Sequence, residues 1–313
     1  MTTMVDPYSP HTINHVPTFS RRQLLIGTLG TLGLGATTQL ISACSSSNSA
    51  SPKPVPLGIP DDVQLVQRFP GVLSPGVVRL PLSLANQQGP LTVDDGQQPE
   101  VLTARILNAD TGEVVAASIS ATKHSNGLTI AYWPFRTEIA EPGIYTLIVD
   151  GGPSAGVALQ ILEANEVLVP KIGTSLPGFD TPTFDNHRGI DPICTRTPDP
   201  CPFHEITLNE AITLGKPIAY LVGTPAFCET GSCAPALEGL ITASKKFGDA
   251  ITYIHAEIYT DNSATKVAPA VGAVNMTYDP ALFITDKHAI VTDRLDGVFD
   301  MDEIVERLTT LVL

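Results

Sequence analysis

The chain has 313 residues, with 32 acidic against 18 basic side chains and a formal net charge of -14. Such an acidic surface argues against nucleic acid as a partner and against adhesion to anionic lipid headgroups. The length is sufficient for two folded domains of ordinary size. We therefore expect a multi-domain chain whose acidic charge keeps its folded part in solution rather than forming a binding site.

The N-terminal segment has the layout of an export signal. A polar stretch leads into Arg21 and Arg22, and a moderately apolar run broken by glycines follows. This order resembles a twin-arginine signal peptide. The run ends in Ile41-Ser42-Ala43-Cys44, which resembles a bacterial lipobox. The resemblance implies removal of residues 1–43, export in folded form, and a lipid on Cys44 that holds the protein at the extracytoplasmic face of a bacterial membrane, in the cell envelope.

An uncleaved transmembrane helix is the alternative interpretation of this segment. Four glycines dilute the apolar run, however, and it is marginal for a span of about 20 residues. Residues 44–60 are rich in serine and proline and cannot bury a core. They are predicted to form a flexible tether.

Residues 61–165 are predicted to form an all-β domain. Seven short β-rich runs with turn residues between them indicate a β-sandwich. These runs are 63–69, 77–84, 101–107, 114–121, 128–133, 144–149 and 156–162. Ile130, Tyr132, Trp133 and Phe135 are expected to contribute to its core. We find no cluster of catalytic side-chain types here, so spacing or partner contact is the expected role.

One stretch of this part is similar to a known domain family. Residues 141–147 (Glu-Pro-Gly-Ile-Tyr-Thr-Leu) resemble the turn and strand entry of immunoglobulin-like domains. The resemblance implies an immunoglobulin-like sandwich in which the Tyr145 hydroxyl binds nearby backbone.

Four cysteines remain beside Cys44, and an even number in an exported chain suggests disulfides. Of three possible pairings, Cys194 with Cys201 and Cys228 with Cys233 is the simplest, because these pairs are local. Zinc is the rival use of four cysteines, but neither spacing matches the short knuckles of a structural zinc site. The Cys194–Cys201 bridge is predicted to be structural, and no metal or cofactor is predicted.

The C-terminal third alternates helices and strands. In chain order the expected elements are a short helix over 208–214, a strand over 218–222, the second cysteine pair, an amphipathic helix to Phe247, a strand over 251–259, a strand, turn and strand within 278–291, and a final helix over 301–311. Asp300 and Glu303 have the spacing of a capping box for this last helix. His255 is expected to be a packed or edge residue rather than a ligand, and His288 to be a solvated turn residue.

A cysteine pair at a helix start, followed by this order of elements, resembles the thioredoxin fold over residues 205–313. Pro280 matches the position where that family places a cis-proline beside its cysteines. Residues 166–204 resemble the extended N-terminal arm of peroxiredoxin-like members. The sequence therefore predicts an α/β thioredoxin-like C-terminal domain preceded by an all-β, immunoglobulin-like domain.

The cysteine pair departs from the family in its spacing. Cys228 and Cys233 enclose four residues rather than two, and five residues of regular helix advance about 7.5 Å, too far for a disulfide. The pair can close only if the intervening residues form a loop, which Gly231 favours. Cys233 is then expected in the first helical turn. The strand before the pair, 218–222, offers no carboxylate as a proton acceptor.

Three functions are compatible with the sequence. The resemblance implies a membrane-anchored thiol-disulfide oxidoreductase that uses Cys228, Cys233 and Pro280 on exported protein thiols or disulfides, or with a membrane electron donor. A redox-inactive envelope binding or scaffold protein with structural disulfides is the alternative. A copper chaperone similar to those of cytochrome oxidase assembly is the third, although no histidine stands before Pro280.

Overall fold

The computed structural model describes residues 63–312. The predictions for Arg21, Arg22, Cys44 and the tether concern residues outside this range. Among the described residues, no helix combines the length and the apolar character needed to cross a bilayer.

The first half consists of two four-stranded antiparallel sheets. In one sheet the central strand β2 (Gly76–Asn86) pairs with β1 (Gln64–Gln67), β3 (Gly89–Pro90) and β6 (Trp133–Ile139). The order of the other is β5 (Val114–Thr122), β4 (Val101–Asn108), β7 (Gly143–Val149) and β8 (Val157–Ile161). A single buried cluster joins Leu82 and Phe135 of the first sheet to Ile106 and Leu147 of the second. The predicted β-sandwich core is therefore present.

Six of the seven predicted runs contain a strand, and the run over 128–133 is wrong, because the strand begins at Trp133 and continues to Ile139. Pro134 interrupts the sequence pattern, but it pairs with Pro81 of β2. Two residues directly opposite each other in an antiparallel pair exchange two hydrogen bonds or none. Neither proline has an N–H group to donate, so the two prolines share a position of the β2–β6 ladder that requires no hydrogen bond.

One local prediction for the sandwich is confirmed in part and another in full. Trp133 and Phe135 belong to its core cluster, whereas Tyr132 is buried outside that cluster and Ile130 is partly exposed. The Tyr145 hydroxyl donates a hydrogen bond to the Glu141 carbonyl at 2.8 Å. This bond ties the turn before β7 to the strand that follows it.

The second half is built on a mixed sheet. Its strand order is β10 (Thr252–Ala256), β9 (Ile218–Val222), β11 (Ala281–Thr285) and β12 (Val291–Asp296). Strands β9 and β10 are parallel, whereas β11 is antiparallel to both of its neighbours. The helices are α1 (Leu208–Thr213), α2 (Cys233–Phe247), α3 (Pro269–Ala273) and α4 (Met301–Val312). This order and these directions agree with the thioredoxin-like α/β part that the sequence predicted.

Helix α2 forms because its apolar residues recur on one face. Ala236, Leu237, Leu240 and Ile241 are buried along that face, and Gly248 ends the helix at a positive φ of 51°. Helix α4 packs closely on α2. A Cβ atom added to Gly239 of α2 would lie 3.1 Å from the Met301 Cα atom, so a side chain there would require the two helices to move apart by a few tenths of an ångström.

One of the two hydrogen bonds of the predicted capping box of α4 is present. The Asp300 carboxylate accepts the Glu303 N–H at 2.9 Å, as expected of an N-cap. The reciprocal bond from the Glu303 side chain is absent, and the Asp300 N–H instead donates to the Tyr132 hydroxyl at 3.0 Å. The Glu303 carboxylate binds Arg79 of β2, because a guanidinium offers stronger, charge-assisted hydrogen bonds than a backbone amide.

This Arg79–Glu303 ion pair joins the sandwich to the mixed-sheet half. Arg79 Nε and Nη2 donate to the two Glu303 oxygens at 2.7 and 2.5 Å, and both side chains are buried. Two further bonds run from Arg79 to the carbonyls of Asp296 and Val298, at 3.0 and 2.6 Å. Burial alone would raise the pKa of Glu303, but the Arg79 charge and hydrogen bonds lower it to about 2.

Candidate functional site

The loop between β9 and α2 carries the second cysteine pair. Gly231 adopts a φ of 67°, and its N–H donates to the Cys228 carbonyl at 3.1 Å, which closes a tight turn. Cys233 is the first residue of α2. The intervening residues therefore form the loop that the sequence required, with Cys228 in it and Cys233 in the first helical turn.

The two thiols and a carboxylate converge at this point. Cys228 Sγ, Cys233 Sγ and an oxygen of Asp279 all lie within 4.8 Å of one another, and both thiols are free. Cys228 is half-buried, whereas Cys233 is only 1% exposed. Solvent therefore has access to the first sulfur and not to the second.

Hydrogen bonds give the Cys228 and Cys233 thiols different pKa values. The Cys233 thiol, the Thr230 hydroxyl and the Cys233 N–H all stabilise a thiolate on Cys228, and together they lower its pKa to about 6. The hydrogen bond to Cys228, burial and the charge of Asp279 raise the pKa of Cys233. At neutral pH, Cys228 is the thiolate and Cys233 remains protonated.

Asp279 is a functional residue that the sequence analysis missed. Cys233 Sγ lies 3.1 Å from Asp279 Oδ2, so its single S–H can donate either to the Cys228 thiolate or to this carboxylate. The strand before the cysteine pair has no carboxylate, and the carboxylate near Cys233 comes instead from the residue before Pro280. Only its position next to that proline could have pointed to it.

Pro280 lies beside the pair. The Asp279–Pro280 peptide bond is cis. A Cβ atom added to Gly223 would lie 3.3 Å from the Pro280 Cβ atom and 3.6 Å from Cys233 Sγ. Gly223 thus lets the proline, the buried sulfur and the end of β9 approach one another.

The low pKa of Cys228 predicts reactivity in mild acid. We expect the rate of alkylation of Cys228 by iodoacetamide to rise around a pKa of about 6, against about 8.5 for a free cysteine. Thr230→Val, which keeps the shape and removes the hydroxyl donor, should move that midpoint upward. Mass-spectrometric rates across pH would measure both, and a midpoint near that of free cysteine in the unmodified chain would contradict the assignment.

The first cysteine pair lies in a different environment from the one predicted. Cys194 and Cys201 are buried free thiols, so the predicted structural disulfide is absent from the described residues. Their sulfurs lie within 4.8 Å of His204 and His255 nitrogens, in a cluster of four ligand-type atoms. In this cluster His255 Nδ1 lies 3.4 Å from Cys201 Sγ.

The pKa values of the two thiols in this cluster are also shifted in opposite directions. A hydrogen bond from the Cys201 thiol lowers the pKa of Cys194, whereas burial raises the pKa of Cys201. His255 is buried, as predicted, but it faces the thiols. The sequence analysis did not consider His204, although its spacing from Cys201, with two residues between, resembles that of a metal-ligand pair.

The strand order and the cysteine pair at the start of α2 define a thioredoxin-like α/β part of the chain. No family model matches the sequence, and no curated protein matches it. Among solved structures, the chain is similar to a thiol:disulfide interchange protein, a thioredoxin family protein from Chlorobium tepidum TLS, at 13% identity and a TM-score of 0.32. The match covers 46% of this chain and 99% of that one.

Proposed function

We propose that the protein is a thiol-disulfide oxidoreductase held at the extracytoplasmic face of a bacterial membrane by a lipid on Cys44. The observation that carries the redox part is the asymmetry of the thiol pair. Cys228 is accessible and has a low pKa, and Cys233 is buried at a helix start against Asp279. An attacking thiol and a resolving thiol need this difference.

The geometry supports a two-step exchange. In the reducing direction, the Cys228 thiolate attacks a substrate disulfide, whose S–S bond breaks as a mixed disulfide forms and one substrate thiolate leaves. Asp279 then accepts the Cys233 proton, and the Cys233 sulfur attacks Cys228 Sγ and releases the second substrate thiolate. The substrate gains two electrons, and the protein is left with a Cys228–Cys233 disulfide.

The alternatives have less support from the site. A purely structural Cys228–Cys233 disulfide does not require a half-exposed thiol with a pKa of about 6. A copper chaperone would place a soft ligand beside the cysteines, but the third group here is the Asp279 carboxylate, which suits harder cations than Cu(I). In our proposal the partners are exported protein thiols or disulfides, or a membrane electron donor, and the sandwich is an immunoglobulin-like spacer.

The reduction potential of the Cys228–Cys233 pair tests the redox proposal. The full chain would be equilibrated with glutathione or dithiothreitol buffers, and peptide mapping would follow this pair separately from the other cysteines. Because hydrogen bonds stabilise the reduced Cys228 thiolate, we expect a potential above about -300 mV, in the range of known exchange proteins. A value well below about -300 mV, with no exchange against either buffer, would reject the function.

A further inference from the structure

The buried cluster of two cysteines and two histidines is not used by the thiol exchange. Cys194, Cys201, His204 and His255 are each at most 3% exposed. His255 Nδ1 lies 3.3 Å from His204 Nε2 and 3.4 Å from Cys201 Sγ, and one ligand atom from each of the four residues falls within 4.8 Å of all the others.

Outer hydrogen bonds determine which nitrogens face the cluster centre. His255 Nε2 lies 3.1 Å from the Gly223 carbonyl, and His204 Nδ1 lies 3.4 Å from the Pro182 carbonyl. A carbonyl can only accept, so each of these nitrogens carries the ring proton. With both rings neutral, the facing nitrogens present lone pairs to each other at 3.3 Å, a contact that a proton or a metal ion between them relieves. A cation between them removes this conflict, and a Cys194–Cys201 disulfide would not.

Two of the six distances between the ligand atoms can be compared with a tetrahedral zinc ion. A tetrahedral zinc ion has Zn–N bonds of about 2.0–2.1 Å and Zn–S bonds of about 2.3 Å, which gives N–N edges of about 3.3 Å and N–S edges of about 3.5 Å. The observed separations of 3.3 and 3.4 Å agree with both. Bonds from the non-ligating imidazole nitrogens to carbonyls are also usual for zinc-bound histidines.

We propose that Cys194, Cys201, His204 and His255 bind one zinc ion. Both thiols give up their protons to solvent on binding, so the two thiolates balance the charge of the ion. Four protein ligands in a buried position leave no open coordination site, which makes the site structural rather than catalytic.

The ion would fasten the segment before α1 to β10, the edge strand of the mixed sheet. Three ligands come from that segment, and His255 comes from β10. The cluster also borders the loop that carries Cys228. Thr195 Oγ1 accepts the Ala226 N–H at 3.1 Å, and Gly223, which binds His255, adjoins Cys233. We therefore expect the bound ion to position this loop.

Metal analysis of the full chain tests the site. The protein would be reduced without oxygen, loaded with zinc and freed of excess metal, and its zinc would be counted by mass spectrometry. We expect one zinc ion per chain. X-ray absorption at the zinc edge should find two sulfurs at about 2.3 Å and two nitrogens at about 2.0–2.1 Å, without the need for a variant. Cobalt in place of zinc should give tetrahedral absorption bands and thiolate-to-metal charge transfer.

Matched variants assign the ion to this cluster. Cys201→Ser and His255→Gln should lower the bound zinc from one equivalent to background. Cys228→Ser combined with Cys233→Ser, at the other group of possible ligands, should keep the full equivalent. The proposal is overturned if the double variant loses the metal, if the reduced chain takes up no zinc, or if absorption finds a shell other than two sulfurs and two nitrogens.

Discussion

Replacing Cys228 with serine is expected to abolish disulfide exchange, whereas Cys233→Ser is expected to stop the reaction halfway, at a mixed disulfide. Cys228 is the accessible thiol with a pKa of about 6, and the 1% exposure of Cys233 denies a substrate direct access to it. Incubation with oxidised glutathione, followed by intact-mass measurement, would count the adducts. Only Cys233→Ser should carry one glutathione on Cys228.

We expect Asp279→Asn to slow the second step of this exchange and to leave the first step unchanged. The variant keeps the size of the side chain and removes the proton acceptor at 3.1 Å from Cys233 Sγ. Glutathionylation of Cys228 should remain, and release of the mixed disulfide should slow by about two orders of magnitude, a typical contribution of a general base. Equal adducts on Cys228→Ser and Cys233→Ser would contradict the assigned roles.

Arg79→Met is expected to destabilise the protein by about 3 kcal/mol, the low end for a broken buried pair, because Glu303 loses its bidentate partner and keeps only the longer contact with Arg136 at 3.3 Å. Urea denaturation of the variant and the parent would measure the loss. Arg105→Met is the matched control: its ion pair with Asp150 is exposed, so the change should cost about 1 kcal/mol or less. Arg79→Met with Glu303→Met, which removes both charges, should recover most of the stability.

The same ion pair predicts a dependence of stability on acid. The pKa of Glu303 is lowered in the folded protein from 4.5 to about 2. Its contribution, about 3 kcal/mol by linkage, is therefore fully present above pH 4.5 and is lost as the pH falls towards 2. Arg79→Met should lack this acid-labile increment. Parallel acid titrations in which both proteins lose stability equally over this range would contradict the pairing.

Much of the fold could be predicted because local patterns determined it. Short β-rich runs located six of the seven predicted strands of the sandwich, and the apolar face of α2 located that helix. Strand β6 was misplaced because the role of Pro134 depends on Pro81, more than fifty residues earlier in the chain. The capping box of α4 was half wrong for the same kind of reason, since the competitor for Glu303 is a guanidinium from β2.

The site was predictable only where its residues are close in sequence. The Cys228–Cys233 loop and the turn at Gly231 followed from spacing and from the conformational freedom of glycine. Asp279 meets Cys233 only because β11 pairs with β9. His255 meets Cys201 because the segment before α1 lies along β10, where the Phe203 carbonyl accepts the His255 N–H at 3.1 Å. Neither contact can be derived from a local sequence pattern.

The close packing of α4 on α2 at Gly239 has a mechanical consequence. Glu303 on α4 is bound to the sandwich through Arg79, and α2 carries Cys233 at its first residue. The sandwich, α4 and α2 are therefore joined by direct contacts that lead to the thiol pair. In our proposal, a partner bound to the sandwich would meet Cys228 at a distance and an orientation that these contacts determine.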